Sequence, residues 1–136
     1  MENLELKITE YREKLTCPCG CNGNLADDEF VMKLIFAQGV YGMIFNFTSG
    51  YRCTKHNTAV GGHIDSAHLY GEAADLFYRT EIECFLIVKA LVGAGFDRIE
   101  ILDLADGIAK GKGGAHIHVD QHHKKRVPWL HVAKYR

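Results

Sequence analysis

Residues 98–120 read RIEILDLADGIAKGKGGAHIHVD, and the fold follows from how that stretch alternates. Its two ends, Arg98 to Leu102 and Ala115 to Asp120, switch between apolar and polar residues with the period of a strand that has one face on a core. Asp106 to Gly114 between them is a glycine-rich connection. Gly111-Lys112-Gly113-Gly114 lacks the length and the Ser/Thr of a phosphate loop and reads as a flexible hairpin link. Two strands so close in sequence favour an antiparallel pair. Within the second, His116, His118 and Asp120 share one face and Ile117 and Val119 the other. Two imidazoles and a carboxylate therefore lie on a polar face backed by an apolar one.

Upstream, Ala73 to Tyr78 reads as another strand. Thr80 with Glu83 forms a T-x-x-E capping box that opens a helix with Ile82, Phe85, Leu86 and Ala90 on one face, and Gly93 and Gly95 end it. Asp27 and Asp28 open an earlier helix whose Phe30, Val31, Leu34 and Ile35 face a core and which ends near Gly39 and Gly42. Met43 to Thr48 reads as a strand that stops at Ser49-Gly50. A loop of about twenty residues follows, and loops of that length are often functional. Val127 to Val132 adds an edge strand, where Pro128 is tolerated. Strands and helices are mixed along the chain, so the expected fold is a single small α+β domain over 1–136: a mainly antiparallel sheet packed against helices, with a metal site on the sheet face.

The chain has 136 residues, 47% hydrophobic and 24% charged, enough for one core and too few for two ordinary domains. Its net charge of −1 argues against a protein built to neutralise phosphates, so no nucleic-acid partner is expected. Nor is a membrane partner, since no apolar run reaches the roughly 18–20 residues a span needs. The N-terminus shows no basic-then-apolar leader, so synthesis in the cytoplasm is expected, and a monomer is the expected state. From Lys110 to Arg136 seven Lys or Arg face one Asp; the simple reading is a solvated basic edge, the sharper one a surface for an anionic polymer.

Eight histidines and five cysteines are the unusual features. A catalytic zinc ion takes three protein ligands, His nitrogens and often one carboxylate, and keeps a position open. His68, at the end of the long loop, with Asp75 and His118 can supply that set if the fold brings loop and last strand together. Cys17, Cys19, Cys21 and Cys53 read as simple thiols near the base of the loop. A redox or metal cluster is the alternative, but for a second zinc site the close alternation of C-x-C-x-C makes tetrahedral closure awkward. Cys84 reads as a core residue. His122 through Arg126 reads as a solvated turn.

The run Ser49-Gly50-Tyr51-Arg52-Cys53, then His56-Asn57, Val60-Gly61-Gly62, Ser66-x-His68-x-x-Gly71-x-Ala73-Ala74-Asp75 and His118-Val119-Asp120, resembles the zinc D-Ala-D-Ala carboxypeptidases, the VanY-like peptidoglycan peptidases that include phage endolysins. Ala94-Gly95-Phe96-Asp97 with Ala115-His116-Ile117-His118 also resembles the zinc-binding signalling domain of hedgehog proteins. The resemblance implies zinc on His68, Asp75 and His118, and peptidoglycan stem peptide as substrate, cleaved as D-Ala-D-Ala at its terminus or L-Ala-D-Glu within it. It implies Arg52 at the substrate carbonyl or carboxylate, with a structural salt bridge as the alternative, and Ser66 at the peptide, with loop capping as the alternative. Many members carry Asp or Glu three residues before the last ligand, where this chain has Ala115. The general base must then come from elsewhere. Glu100 is preferred and Asp103 is the other candidate, while His116 or His63 would act as general acid or oxyanion stabiliser, or only support the ligands. A substrate outside the cytoplasm and no visible leader together imply release to the wall by phage lysis or carriage in a virion. A non-catalytic zinc-containing binding module of the same fold is the alternative to an enzyme.

Overall fold

In the computed structural model, which describes residues 3–21, 23–109, 113–122 and 127–133, five strands form one sheet. They are β1 (Phe47–Ser49), β2 (Ala73–Phe77), β3 (Arg98–Leu102), β4 (His116–Asp120) and β5 (Trp129–Ala133), in the order β1-β2-β4-β3-β5. All pairs are antiparallel except β3 with β5. Five α-helices accompany them among the described residues: α1 (Leu4–Lys14), α2 (Asp28–Tyr41), α3 (Thr54–Ala59), α4 (Glu81–Gly93) and α5 (Leu104–Ala109). The expected α+β class with a mostly antiparallel sheet holds.

The alternation of β4 orders everything else. Ile117 and Val119 are fully buried against Ala74 and Leu76 of β2, Ile99 of β3, and the inner faces of α2 (Phe30, Val31, Leu34, Ala37) and α4 (Ile87, Ala90, Leu91). Each Val, Leu, Ile or Phe among these contributes roughly 1.5–3 kcal/mol by leaving water. Asp27 caps α2 by accepting from Phe30 N (3.1 Å), and Gly42, at φ +79°, ends it. Thr80 Oγ1 accepts from Glu83 N (3.1 Å) at the start of α4, as the capping box requires. The glutamate carboxylate pairs with Arg79 Nε at 3.5 Å.

The structure corrects four expectations. The inner face of α4 is Ile87, Ala90 and Leu91; Ile82, Phe85 and Leu86 are exposed. Nearly every position of that helix is apolar, so periodicity could not choose a face. Of Met43 to Thr48, only Phe47 and Thr48 belong to β1: Met43 and Ile44 are exposed, and Phe45 N donates to the Gln38 side chain at 3.1 Å rather than to a neighbouring strand. The long loop holds α3 and a 3₁₀ turn, Ala67–Tyr70. The glycine-rich connection holds α5, in which a side chain at Gly107 would overlap the backbone of Gly114; its glycine marks close packing rather than a break. Lys110 to Lys112 of that connection and His123 to Arg126 of the expected basic turn lie outside the described residues.

Candidate metal centre

Asp75 on β2 stands opposite His118 on β4, and His118 stands opposite Glu100 on β3. Because β4 is the central strand, its polar face collects side chains from both neighbours. The fourth contributor is the 3₁₀ turn, where Ser66 Oγ caps the turn by accepting from His68 N (3.2 Å). Gly71 closes the turn at φ +69°, and a Cβ there would overlap the carbonyl of Leu25. Only glycine fits, and the reversal lays His68 over the face that carries Asp75.

His68 is 2% exposed, and its Nδ1 donates to the Gly50 carbonyl at 2.6 Å. That bond fixes the tautomer and leaves the Nε2 lone pair aimed inward. Nε2 has no hydrogen-bond partner and lies 3.3 Å from Asp75 Oδ2. Burial, against the pull of Asp75, lowers the His68 pKa and so favours the neutral ring. A lone pair facing a carboxylate oxygen at that distance in a buried site is unfavourable unless a proton or a metal cation compensates it. His118 places Nδ1 2.9 Å from Asp75 Oδ1 and Nε2 2.7 Å from Asp120 Oδ2. Burial opposes its charge, but the two carboxylates hold its pKa up to about 9. Asp120, despite burial, is pulled down to about 2 by His118 and by Arg98, whose Nε donates to Oδ1 at 2.6 Å. Asp75 is fully buried; desolvation pushes it up, yet His68, His116 and His118 bring it well below the usual carboxylate range. Ligand atoms of His68, Asp75 and His118 all lie within 4.8 Å of one another. Two imidazole nitrogens and one carboxylate oxygen, oriented by Gly50 and Asp120, make a donor set that fits a zinc-like ion.

The model of the family described as Peptidase M15 matches residues 10–120. The chain belongs to the peptidase M15 family. Peptidases of this family are metal-dependent, and the matched span contains His68, Asp75 and His118. No curated protein and no solved structure matches the chain.

In this M15 chain His68 and His118 line a cavity of about 660 Å³, together with Arg52, His63, Asp65, Ser66, Arg98, Glu100, Asp120, His122 and Trp129 among others. Arg52 is 5% exposed, with Nη2 donating to Asp75 Oδ2 (3.2 Å), Nη1 to Asn57 Oδ1 (3.3 Å) and Nε to Ser49 Oγ (3.1 Å). It is therefore tied to Asp75 and also contributes to the cavity lining. Glu100 lines the cavity, its Oε2 2.8 Å from His131 Nδ1. Asp103 does not line it; its Oδ1 accepts from Asp106 N in the first turn of α5 (2.9 Å). His116 is not in the lining either. It is 2% exposed, its Nδ1 is 3.3 Å from Thr48 Oγ1, and its partnerless Nε2 is 3.3 Å from Asp75 Oδ2. Thr48 lies at a register shift between Phe47 and Ser49 of β1, the kind of irregularity that re-aims a strand side chain. His63 is exposed on the rim.

Sequence reasoning assigned no role to Asp120, Asn57, Arg98 and Trp129, and placed His122 on the surface. His122 is 3% exposed, lines the cavity, and places Nε2 2.7 Å from the Asp65 carbonyl. Asp120 and Asn57 stood inside recognisable motifs and could have been found there. His122 lies past the end of β4, where no periodicity announces which way a side chain points.

Proposed function

We propose that this M15 peptidase is a zinc enzyme that hydrolyses an amide bond in the stem peptides of peptidoglycan. The observation that carries the reading is the inward-facing, partnerless Nε2 of His68 beside Asp75 and His118 on the floor of an open cavity. When bound, zinc supplies Lewis acidity, polarising a carbonyl and acidifying water. His68 Nε2, Asp75 and His118 Nδ1 would hold it. Arg52 keeps Asp75 charged and oriented, and its further N–H donors at the cavity wall stabilise charge on the carbonyl oxygen. The hydroxyl of Ser66, whose oxygen already accepts from His68 N, donates to the bound peptide.

Ala115 offers no carboxylate, and Glu100 on the adjacent strand replaces it. Held by His131 and set opposite His118, its carboxylate takes the proton of the attacking water and delivers it to the leaving amine. His116, behind Asp75, is a positioning residue. Release to the cell wall in phage lysis, or carriage in a virion, suits that substrate, and phage lysis or tail genes beside its gene would support it. Mass spectrometry of muropeptide digests tests the reading and identifies the bond, D-Ala-D-Ala or L-Ala-D-Glu. Glu100→Gln should lower kcat by about 10²–10⁴-fold, while Asp103→Asn should leave kcat within a few-fold. A zinc-loaded protein that cleaves no muropeptide across pH would overturn the enzyme in favour of a binding module.

A further inference from the structure

Three cysteines of the turn after α1 and Cys53 at the start of the long loop are brought together although 36 positions separate Cys17 from Cys53. The turn Cys17-Pro18-Cys19-Gly20-Cys21 is not extended. Gly20 adopts φ +90°, so the chain curls and successive cysteines need not point to opposite sides. Against this turn lies the segment before α3, held by Tyr51 N donating to the Leu15 carbonyl at 2.8 Å. Gly50 is so close to Leu15 that a Cβ there would overlap it.

All four Sγ atoms lie within 4.8 Å of one another. Cys17 to Cys19 is 3.5 Å, Cys17 to Cys53 is 3.8 Å, and Cys19 to Cys53 is 3.5 Å. A disulfide would bring a pair to about 2.05 Å. Four thiolates at about 2.3 Å from one zinc ion stand about 3.8 Å apart along the tetrahedral edges. The observed spacing is close to that of a zinc tetrahedron, and a disulfide would draw in two sulfurs and leave two aside. Backbone N–H groups also point at the sulfurs: Cys53 N to Cys17 (3.5 Å), His56 N to Cys53 (3.4 Å) and Gly23 N to Cys21 (3.2 Å). Such donors offset the negative charge that sulfur carries as a metal ligand.

We propose that Cys17, Cys19, Cys21 and Cys53 bind a second zinc ion, structural and closed, separate from the His68–Asp75–His118 centre. On binding, each thiol releases one proton to solvent and forms one S–Zn bond; four protons leave, no electron moves, and the cluster carries −2. The ion ties the turn after α1 to Cys53, the residue that follows Arg52 and caps α3. It thereby fixes the backbone from which Arg52 reaches Asp75.

The full-length wild-type protein, purified under reducing conditions without chelator, decides the matter by native mass spectrometry. Two zinc ions per chain are expected, falling to one in Cys19→Ser/Cys21→Ser and to one in His68→Ala/His118→Ala. Loaded with cobalt(II) instead, the wild type should show a thiolate-to-cobalt charge-transfer band in the near ultraviolet, which the histidine and carboxylate centre alone cannot produce. That band should persist in His68→Ala/His118→Ala, so it reports on the cysteines whether or not the peptidase reading stands. The wild-type spectrum remains decisive if the serine variant fails to fold. Cobalt-loaded wild type without the band, or a disulfide among these four cysteines in the reduced preparation, overturns the proposal.

Discussion

At Gly71 one missing carbon atom shapes the candidate centre. Its φ of +69° would cost a side-chain-bearing residue about 1–3 kcal/mol, and its Cβ would overlap the Leu25 carbonyl besides. The same glycine accepts from Asp27 N through its own carbonyl (2.9 Å), linking the turn to the start of α2. Gly71→Ala should therefore destabilise the protein by about 2 kcal/mol or more, read as a lower urea midpoint. It should also weaken metal binding, because His68 sits one turn before it. An unchanged midpoint would show that the strand entry relaxes freely and that the glycine is not what sets His68 in place. Arg52 shows a related economy: one guanidinium contacts Asp75, Asn57 and Ser49. Neither of the sequence alternatives, substrate contact or structural ion pair, excludes the other at that position.

Helix α4 separates what an element's sequence can tell from what only its neighbours decide. Its start was readable because Thr80 and Glu83 form a local hydrogen bond at a fixed spacing, but its buried face was not, since an apolar residue occupies almost every position. Leu91→Ala should cost about 2–5 kcal/mol as a core truncation. Phe85→Ala, on the exposed face, should change stability within about 0.5 kcal/mol. Chemical denaturation of both variants checks this, and the reverse order would put the other face of the helix on the core. Strands β3 and β4 were legible for a simple reason: their alternation of period two is long enough to count, and in β4 it also predicts that His116 and His118 share a face. Helices α3 and α5 were not. Each has six residues, too few for a helical period; one is capped by a cysteine sulfur and the other carries a glycine that permits packing. The motif order singled out His68, Asp75 and His118, and the fold brings these three together, whereas the split between His118 in the cavity and His116 behind Asp75 could not be read from the alternation of β4 alone.

The candidate centre draws on the whole molecule, because Asp75, Glu100 and His118 come from three adjacent strands and His68 from a turn laid over them. An unfolded chain has no such convergence, so a cation that binds there favours the folded state by mass action. With free zinc at 100 times the dissociation constant of that centre, the stabilisation is about 2.7 kcal/mol. For a domain of this size that corresponds to a rise in Tm of about 10 °C. His68→Ala should abolish this increment, since it removes a ligand and the tautomer set by Gly50 with it. The cysteine cluster adds its own increment, so the quantity to measure is the difference between the zinc-dependent Tm rise of the wild type and that of His68→Ala. A difference near 10 °C places His68, Asp75 and His118 around a metal that the fold itself assembles. No difference would mean that the two histidines and the buried carboxylate are held together by protons alone, with His118 bridging Asp75 and Asp120 as a charged imidazolium.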